Sequence, residues 1–119
     1  MATVTGLGGL FLRAHDPASL YAWYARHLGL VQVGGAFAFP APTRPAQVTF
    51  ALFGQGDAYF PEAQQAMLNL QVDDLDSLLD RLIAEGVPVD PNRESYAFGR
   101  FGWCTDPEGH RIELWEPAP

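Results

Sequence analysis

The amino-acid sequence predicts an α+β domain built from two tandem βαβββ modules. Residues 10–29 and residues 68–86 follow one plan: an alternating strand, an acidic helix cap, an amphipathic helix and a closing glycine. Self-similarity of this kind constrains the whole fold, because each copy forms the same unit. We predict a single domain over residues 1–119, with module one at about 6–62 and module two at about 66–117. The matching pairs share one constant offset, except the glycines, which fall one residue short of it: Leu10/Leu68, Leu12/Leu70, Asp16/Asp74, Ser19/Ser77, Leu20/Leu78 and Gly29/Gly86.

The first module begins with residues 6–14, which alternate like a strand, although two adjacent glycines weaken the pattern. Asp16 is a good N-cap, and Pro17 suits the first helical turn, where its missing N–H loses no partner. The helix that follows has an apolar face at helical spacing and ends at Gly29. That face carries Leu20, Trp23, Tyr24, His27 and Leu28.

Three further strands complete the first module. Residues 30–39 and 47–53 have strand composition, and the proline-rich segment 40–46 predicts the loop between them. A short strand near residues 58–60 is expected to close the module.

The second module repeats this order from residue 66. Residues 66–72 predict a strand, and Asp74 caps a helix that ends at Gly86. Residues 91–99 look irregular and predict a mobile flap. The apolar face of the helix carries Leu75, Leu78, Leu79, Leu82 and Ile83.

A tight hairpin closes the second module. Residues 101–105 and 111–116 predict its two strands, and Asp106-Pro107-Glu108-Gly109-His110 predicts its turn. Proline suits the second position of such a turn, and Gly109 can take a positive φ.

Composition excludes several classes of partner. The formal net charge is −7 and no Lys/Arg cluster stands out, so neither nucleic acid nor a membrane is an expected partner. No run approaches the roughly 18 apolar residues that span a bilayer, and no signal peptide is evident. The single cysteine, Cys104, excludes an intrachain disulfide framework and fits a reducing compartment. We therefore expect a cytoplasmic protein.

Strand alternation predicts which face of the sheet carries function. Successive side chains point to opposite faces, so Leu68, Leu70 and Val72 should pack under the helices. The other face then carries Phe11, Arg13, Asn69, Gln71, Glu113 and Trp115. Aromatic rings around a few polar groups are typical of a small-molecule pocket, to which Trp103 is a further candidate. Two alternatives stay open: this is the solvated side of an open sheet, or the two tryptophans pack in the core or a dimer interface.

Three segments resemble the vicinal oxygen chelate superfamily: LYAWYARHLGL (20–30), VDDLDSLLDRLIAEGV (72–87) and the hairpin at 105–117. That superfamily includes glyoxalase I, bleomycin-resistance proteins, fosfomycin-resistance proteins and extradiol dioxygenases, and the resemblance covers essentially the whole chain. It implies two βαβββ sheets that curve into a cleft, often completed by a second subunit, so we expect a homodimer. It does not specify an activity, because members of one fold differ widely in chemistry.

The resemblance also implies where a divalent metal would bind. In the enzymes of the superfamily it acts in the cleft as a Lewis acid. Carried over to this chain, the ligand positions are Gly9, Met67 and Glu113, with Tyr59 as the fourth-strand counterpart. Only Glu113 has a good ligating side chain, and one carboxylate does not provide the three or four ligands of a transition-metal site. We expect no metal cofactor, with Glu113 as the only retained candidate ligand.

The remaining polar residues have structural interpretations. His15 lies near the helix cap, His27 is expected to stabilise a helix C-terminus, and His110 is expected in an exposed turn. Glu113 is predicted to pair with Arg13 or Arg111, with general acid–base catalysis as the alternative. Cys104 is predicted to be a small buried hydrophobic residue.

Three functions are compatible with the sequence. The first is a metal-independent member that binds a small, partly apolar or aromatic molecule in the cleft, and the missing ligand positions beside retained aromatic residues favour it. The second is a metal-dependent lyase or dioxygenase. The third is a non-enzymatic dimeric interaction module whose cleft is filled by its partner. Whether any reaction is catalysed, and which ligand the loops at 40–46 and 91–99 select, stays open.

Overall fold

A computed structural model of the chain describes residues 1–4, 6–39 and 48–119. Two helices and six strands form within these residues. Their order is α1 (Pro17–Leu28), β1 (Val31–Val33), β2 (Ala36–Ala38), β3 (Asn69–Gln71), α2 (Leu75–Ala84), β4 (Glu94–Tyr96), β5 (Gly99–Thr105) and β6 (Arg111–Pro117).

The second half of the chain forms a four-stranded sheet in the order β3-β6-β5-β4. β3 runs parallel to β6, and the other neighbours are antiparallel. Because α2 connects β3 to β4, this half has the predicted βαβββ order. In the first half, α1 is followed by the antiparallel hairpin β1-β2. The predicted α+β class is confirmed.

The two helices begin in the same way, as the sequence repeat predicts. The Asp16 side chain accepts hydrogen bonds from the backbone N–H of Ser19 at 3.2 Å and from its hydroxyl at 2.8 Å. Asp74 and Ser77 make the same two bonds at 3.1 and 2.9 Å. Such caps satisfy backbone N–H groups that have no partner inside the helix.

Both helices pack on one face of the large sheet. Leu75, Leu79 and Leu82 of α2 are fully buried against Ile112 and Leu114 of β6. Leu68, Leu70 and Val72 pack against the same core, as the alternation predicts. The prediction for Ile83 is wrong, because its side chain lies at the edge of the helix face and is exposed.

Several predicted strands of the first half do not form within the single chain. Residues 6–14, 48–53 and 58–60 have no strand assignment, and residues 40–47, which include the predicted loop, lie outside the described residues. The large apolar side chains of the first two segments are exposed, with Phe11 at 94%. A strand needs a neighbour for its backbone N–H and C=O groups, and neither segment has one among the described residues.

The predicted flap at residues 91–99 is also wrong. Glu94–Tyr96 forms β4, which pairs with β5 in the register Glu94↔Phe101 and Tyr96↔Gly99. The sequence obscures this strand because it is short and lies at the sheet edge.

Among the described residues, neither helix has the length and apolar character needed to cross a membrane.

Candidate functional site

The sheet face opposite the helices carries two rows of polar and aromatic side chains. In the strand register, Asn69 is opposite Glu113, and Glu113 is opposite Trp103. The next row runs from β3 to β4 through Gln71, Trp115, Phe101 and Glu94. Because residues in register point to the same side, these side chains share one face. The predicted orientation of Asn69, Gln71, Glu113 and Trp115 is confirmed, whereas their role in ligand binding stays a prediction.

Glu113 lies at the centre of this face and is only 9% exposed. Its Oε1 accepts a hydrogen bond from the hydroxyl of Tyr59, and its Oε2 accepts one from Nδ2 of Asn69 at 2.7 Å. Two neutral donors thus satisfy the carboxylate. The predicted ion pair with Arg13 or Arg111 is wrong. The Arg111 guanidinium instead contacts Asp90 at 3.1 Å and lies 5.1 Å from the centre of the Trp103 ring, where a cation is attracted to the aromatic face.

Tyr59 reaches Glu113 from the irregular segment before β3. Its ring lies 5.4 Å from that of Phe53 and meets Trp103 edge-on at 6.1 Å, measured between ring centres. Burial, and next the hydrogen bond to the Glu113 carboxylate, raise the pKa of Tyr59 well above its ordinary value. The phenol hydroxyl of Tyr59 therefore keeps its proton and donates a hydrogen bond to Glu113. Alternation identifies residues on strands, so it provided no signal for this contact from an irregular segment.

An aromatic row extends from this polar centre to the edge of the sheet. The rings of Phe101 and Trp115 are parallel to within 5°, with centres 6.0 Å apart. Tyr96 and Phe98 form a second parallel pair at 5.3 Å, and both contact Phe101 edge-on. The Trp115 indole N–H donates to the carbonyl of Phe98 at 3.2 Å, which links the two pairs. Sequence analysis missed Tyr96, Phe98 and Phe101, although the alternation in SYAFGRF was a usable signal for them.

Three predicted site residues have other surroundings. Trp103 is on the same face but is only 1% exposed, because Tyr59 and Arg111 cover its ring. Phe11 and Arg13 are exposed in the unpaired N-terminal segment and do not lie on the sheet face within this chain.

Two cavities lie near this face rather than on it. A largely apolar groove of about 220 Å³ lies between the end of α1, the β1-β2 hairpin and β3, with Gln71 at its rim. A second hollow of about 290 Å³ is lined by residues of the segment 55–62. The groove adjoins the outer edge of β3, which pairs with no other strand in the described part of the chain.

A buried network anchors the hairpin turn between β5 and β6. Asp106 accepts hydrogen bonds from the Tyr24 hydroxyl at 2.8 Å and from the backbone N–H of His110 at 3.0 Å, and it contacts His110 Nδ1 at 2.7 Å. The prediction of a simple exposed His110 is wrong, because the turn folds this ring onto Asp106. Glu108 accepts bonds from the backbone N–H groups of His15 and Asp16 at 2.6 and 2.9 Å. The turn therefore joins the second half of the chain to the start of α1.

His27 and Cys104 have structural environments. The His27 ring contacts Glu85 at 2.9 Å, which links the C-terminal ends of the two helices. The Cys104 thiol is 1% exposed, and burial raises its pKa to about 12. An un-ionised thiol in an apolar site is unreactive, as predicted for this cysteine.

Comparison with known proteins agrees with this architecture. The model of the Glyoxalase/Bleomycin resistance protein/Dioxygenase superfamily matches residues 6–114. The chain belongs to that superfamily. A comparison with curated proteins gave no significant match.

Solved structures share the superfamily fold at low sequence identity. The antibiotic-binding protein TnmS3 from Streptomyces sp. CB03234 aligns with a TM-score of 0.65 at 20% identity, covering 99% of this chain and 100% of its own. TioX from Micromonospora sp. ML1 aligns at 0.56 and 17% identity, covering 88% and 93%. Lactoylglutathione lyase from Agrobacterium tumefaciens aligns at 0.55 and 17% identity, covering 94% and 96%. At such identities, the similarity shows the fold alone.

The residues at the superfamily's metal positions do not fit a metal ion. Gly9 is exposed and has no side chain, Met67 offers only a thioether, and Glu113 provides a single carboxylate. Tyr59, the fourth counterpart, is a protonated donor to that carboxylate. Within residues 1–4, 6–39 and 48–119, no three His, Cys, Asp or Glu side chains are grouped so as to hold an ion. The donor set lacks what a transition metal requires.

Proposed function

We propose that this superfamily member binds a small, partly apolar or aromatic molecule on the open face of the β3-β6-β5-β4 sheet, without the superfamily's metal. One observation carries the proposal. The hydrogen-bonded pair Asn69–Glu113 lies beside the parallel rings of Phe101 and Trp115 on the same face. Apolar rings next to a few fixed polar groups are the usual composition of a ligand site.

The exposure of these residues supports binding. Phe101 and Trp115 are half-buried, so the sheet holds them in place and leaves ring surface for a ligand. Asn69 and Gln71 are exposed at the β3 side of the face. An offset or edge-on aromatic contact contributes about 0.5–1.5 kcal/mol beyond the area it buries. A flat ligand that contacts both rings and one polar group would gain this stabilisation from each ring.

The related structures support this choice over the alternatives. TnmS3 is described as an antibiotic-binding protein, so a protein of this fold binds an antibiotic. A lactoylglutathione lyase also has this fold, which keeps a lyase activity as the alternative. Because Gly9 and Met67 occupy the metal positions, binding is the stronger proposal.

We also propose that the site is completed in a homodimer. Residues 7–12 and 48–53 expose a series of large apolar side chains, and β3 has a free edge in the described part of the chain. A segment that pairs with this edge would satisfy its backbone groups and bury its own apolar side chains. The repeat aligns Phe11 with Asn69 and Arg13 with Gln71, so pairing by residues 6–14 of a second copy would add Phe11 and Arg13 to the ligand face.

Calorimetric titration with acridone, a flat neutral aromatic probe, tests the ligand proposal. The protein is first treated with a chelator to remove any metal. We expect saturable binding that Trp115→Ala weakens about tenfold, which corresponds to about 1.4 kcal/mol. The matched control is Phe39→Ala, because Phe39 lines the apolar groove rather than the sheet face. Equal loss in both variants, or loss in Phe39→Ala alone, would place the ligand in the groove and contradict the proposal.

Light scattering after size-exclusion chromatography tests the dimer. We expect twice the chain mass for the wild type and a monomer for Phe11→Asp, because a buried charge without a partner destabilises an interface. Tyr96→Asp alters an exposed aromatic residue at the opposite edge of the sheet and should leave the dimer intact. A monomeric wild type at micromolar concentration would refute this arrangement.

A further inference from the structure

The proposed ligand face carries two carboxylates that have no cationic partner among the described residues of the chain. Glu113 accepts hydrogen bonds from Tyr59 and Asn69, and Glu94 accepts one from the hydroxyl of Tyr96. Every one of these donors is neutral. Within the described ranges, no arginine, lysine or histidine forms an ion pair with either glutamate.

The two carboxylates lie on either side of the aromatic pair. Glu94 is opposite Phe101 in the strand register, and Phe101 is opposite Trp115. Glu113 precedes Trp115 by two residues on β6, so both point to the same face. A flat molecule in contact with Phe101 and Trp115 would therefore have the Glu94 carboxylate beside Phe101 and the Glu113 carboxylate beside Trp115.

Within one chain, the arginines nearest this face are engaged with other acids. Arg111 pairs with Asp90, while Arg93 and Arg100 pair with Asp76 on the helix side of the sheet. In the proposed dimer, Arg13 of the second copy aligns with Gln71 rather than with Glu113 or Glu94. A second acceptor lies next to Glu113, because Asn69 donates through Nδ2 and its Oδ1 receives no hydrogen bond from the described residues. A ligand ammonium group could bond Oδ1 of Asn69 and Oε2 of Glu113 together.

We propose that the ligand is an organic cation: a planar aromatic molecule whose protonated nitrogen contacts Glu113 or Glu94 while its ring rests on Phe101 and Trp115. This inference rests on the proposed function and specifies the ligand's charge. A cation is stabilised by the carboxylates and by the faces of the aromatic rings. The net charge of −7 also favours the approach of cations over anions.

Parallel titrations with aminoacridine and acridone test the charge preference. The two probes have tricyclic rings of similar size, but aminoacridine, used as its 9-amino isomer, is a cation near neutral pH and acridone is neutral. We expect the wild type to bind aminoacridine about tenfold or more tightly than acridone, since hydrogen bonds to charged groups contribute about 1.5–3 kcal/mol. Added salt should weaken the binding of aminoacridine only.

Glutamine variants show whether the two carboxylates cause the preference. Glu113→Gln and Glu94→Gln should each reduce aminoacridine affinity severalfold more than they reduce acridone affinity. Glu94 is only half-buried, so its variant remains informative if Glu113→Gln folds poorly. The matched control is Glu85→Gln, which removes a charge at the helix layer.

The outcomes separate this inference from the proposed function. Equal affinity for both probes in the wild type, or equal effects of the glutamine variants on both, overturns the cation preference and leaves aromatic binding intact. Failure of both probes to bind overturns the proposed function and this inference with it. A preference for aminoacridine that disappears in the Glu113 or Glu94 variant and persists in Glu85→Gln supports the inference.

Discussion

Nδ2 of Asn69 donates a hydrogen bond to Oε2 of Glu113 at 2.7 Å, and the two residues are direct partners in the parallel pairing of β3 with β6. The contact joins the edge strand to the carboxylate at the centre of the open sheet face. The Tyr59 hydroxyl completes the arrangement from the other side. A buried carboxylate needs such donors because it has lost its water.

Replacing Asn69 with leucine should therefore destabilise the fold. Asn69→Leu leaves the buried Glu113 with one donor, and we expect the free energy of unfolding in urea to fall by about 1–3 kcal/mol. Gln71→Leu is the matched control, because Gln71 is exposed on the same strand face and makes no hydrogen bond with the described residues. It should change stability by less than about 0.5 kcal/mol. Equal effects of the two substitutions would show that the Glu113 contact contributes nothing.

The contact between Tyr24 and Asp106 should contribute to stability as a coupled pair. Burial, and next the hydrogen bond to Asp106, raise the pKa of Tyr24 above its ordinary value. Asp106→Ala leaves the buried Tyr24 hydroxyl without its acceptor, and we expect a loss of about 1–3 kcal/mol. Tyr24→Phe should lower the free energy of unfolding by less in the Asp106→Ala variant than in the wild type. Additive losses in a double-mutant cycle would contradict the coupling.

β5 packs closely against α2 because glycine at position 102 has no side chain. A Cβ at this position would lie 2.6 Å from Cδ1 of Leu79, which is fully buried. We expect Gly102→Ala to destabilise the fold by about 1–3 kcal/mol through overpacking. Gly35→Ala is the control, since a Cβ there meets nothing within 4 Å, and it should be nearly neutral. A neutral Gly102→Ala in chemical denaturation would refute this packing.

Asp76 should make stability sensitive to strong acid. Hydrogen bonds from Arg100 and then Arg93 lower the pKa of Asp76 from 3.8 to about 2. A depressed pKa stabilises the folded state above the unfolded value, and this contribution is lost as pH falls from about 4 to about 2. We expect carbon-detected NMR titration to report the low value, and Arg100→Gln to raise it.

Thermal unfolding provides the corresponding stability test. Asp76→Asn should flatten the decline of the melting temperature across that acid range, although solvent limits the effect because Asp76 is about half exposed. Asp73→Asn removes a charge without an ion pair to the described residues and should leave the decline unchanged. Identical acid profiles for Asp76→Asn and the wild type would contradict the role of this cluster.

The sequence repeat and the two-residue strand period predicted much of the fold and part of the site. The capping pairs Asp16–Ser19 and Asp74–Ser77 are local, so their spacing alone reveals them. The orientation of Asn69 and Glu113 follows from alternation, which holds wherever a strand forms. These predictions succeeded because each depends on neighbours along the chain.

The errors concern contacts between distant segments. Glu113 was predicted to pair with arginine, but its partner Tyr59 lies on an irregular segment whose position no periodicity encodes. Residues 6–14 have the composition of a strand, yet a strand also needs a partner, and the described residues of the chain provide none for them. The network of Asp106 with Tyr24 depends on tertiary packing that brings the hairpin turn to α1.

The central claim is that a ligand binds on the open sheet face without a metal. Chemical-shift mapping tests it most directly, with isotope-labelled protein that a chelator has freed of metal and that is titrated with acridone and aminoacridine. The three indole N–H signals distinguish the surfaces, because Trp115 lies on the open sheet face, Trp103 is buried under Tyr59 and Arg111, and Trp23 belongs to α1 on the helix side. We predict saturable shifts of the Trp115 indole and of the Asn69 and Gln71 side-chain amides, with Trp23 unchanged. Shifts confined to Trp23 and to the groove residues Leu28 and Phe39, or no saturable shifts at all, would contradict a ligand site on this sheet face.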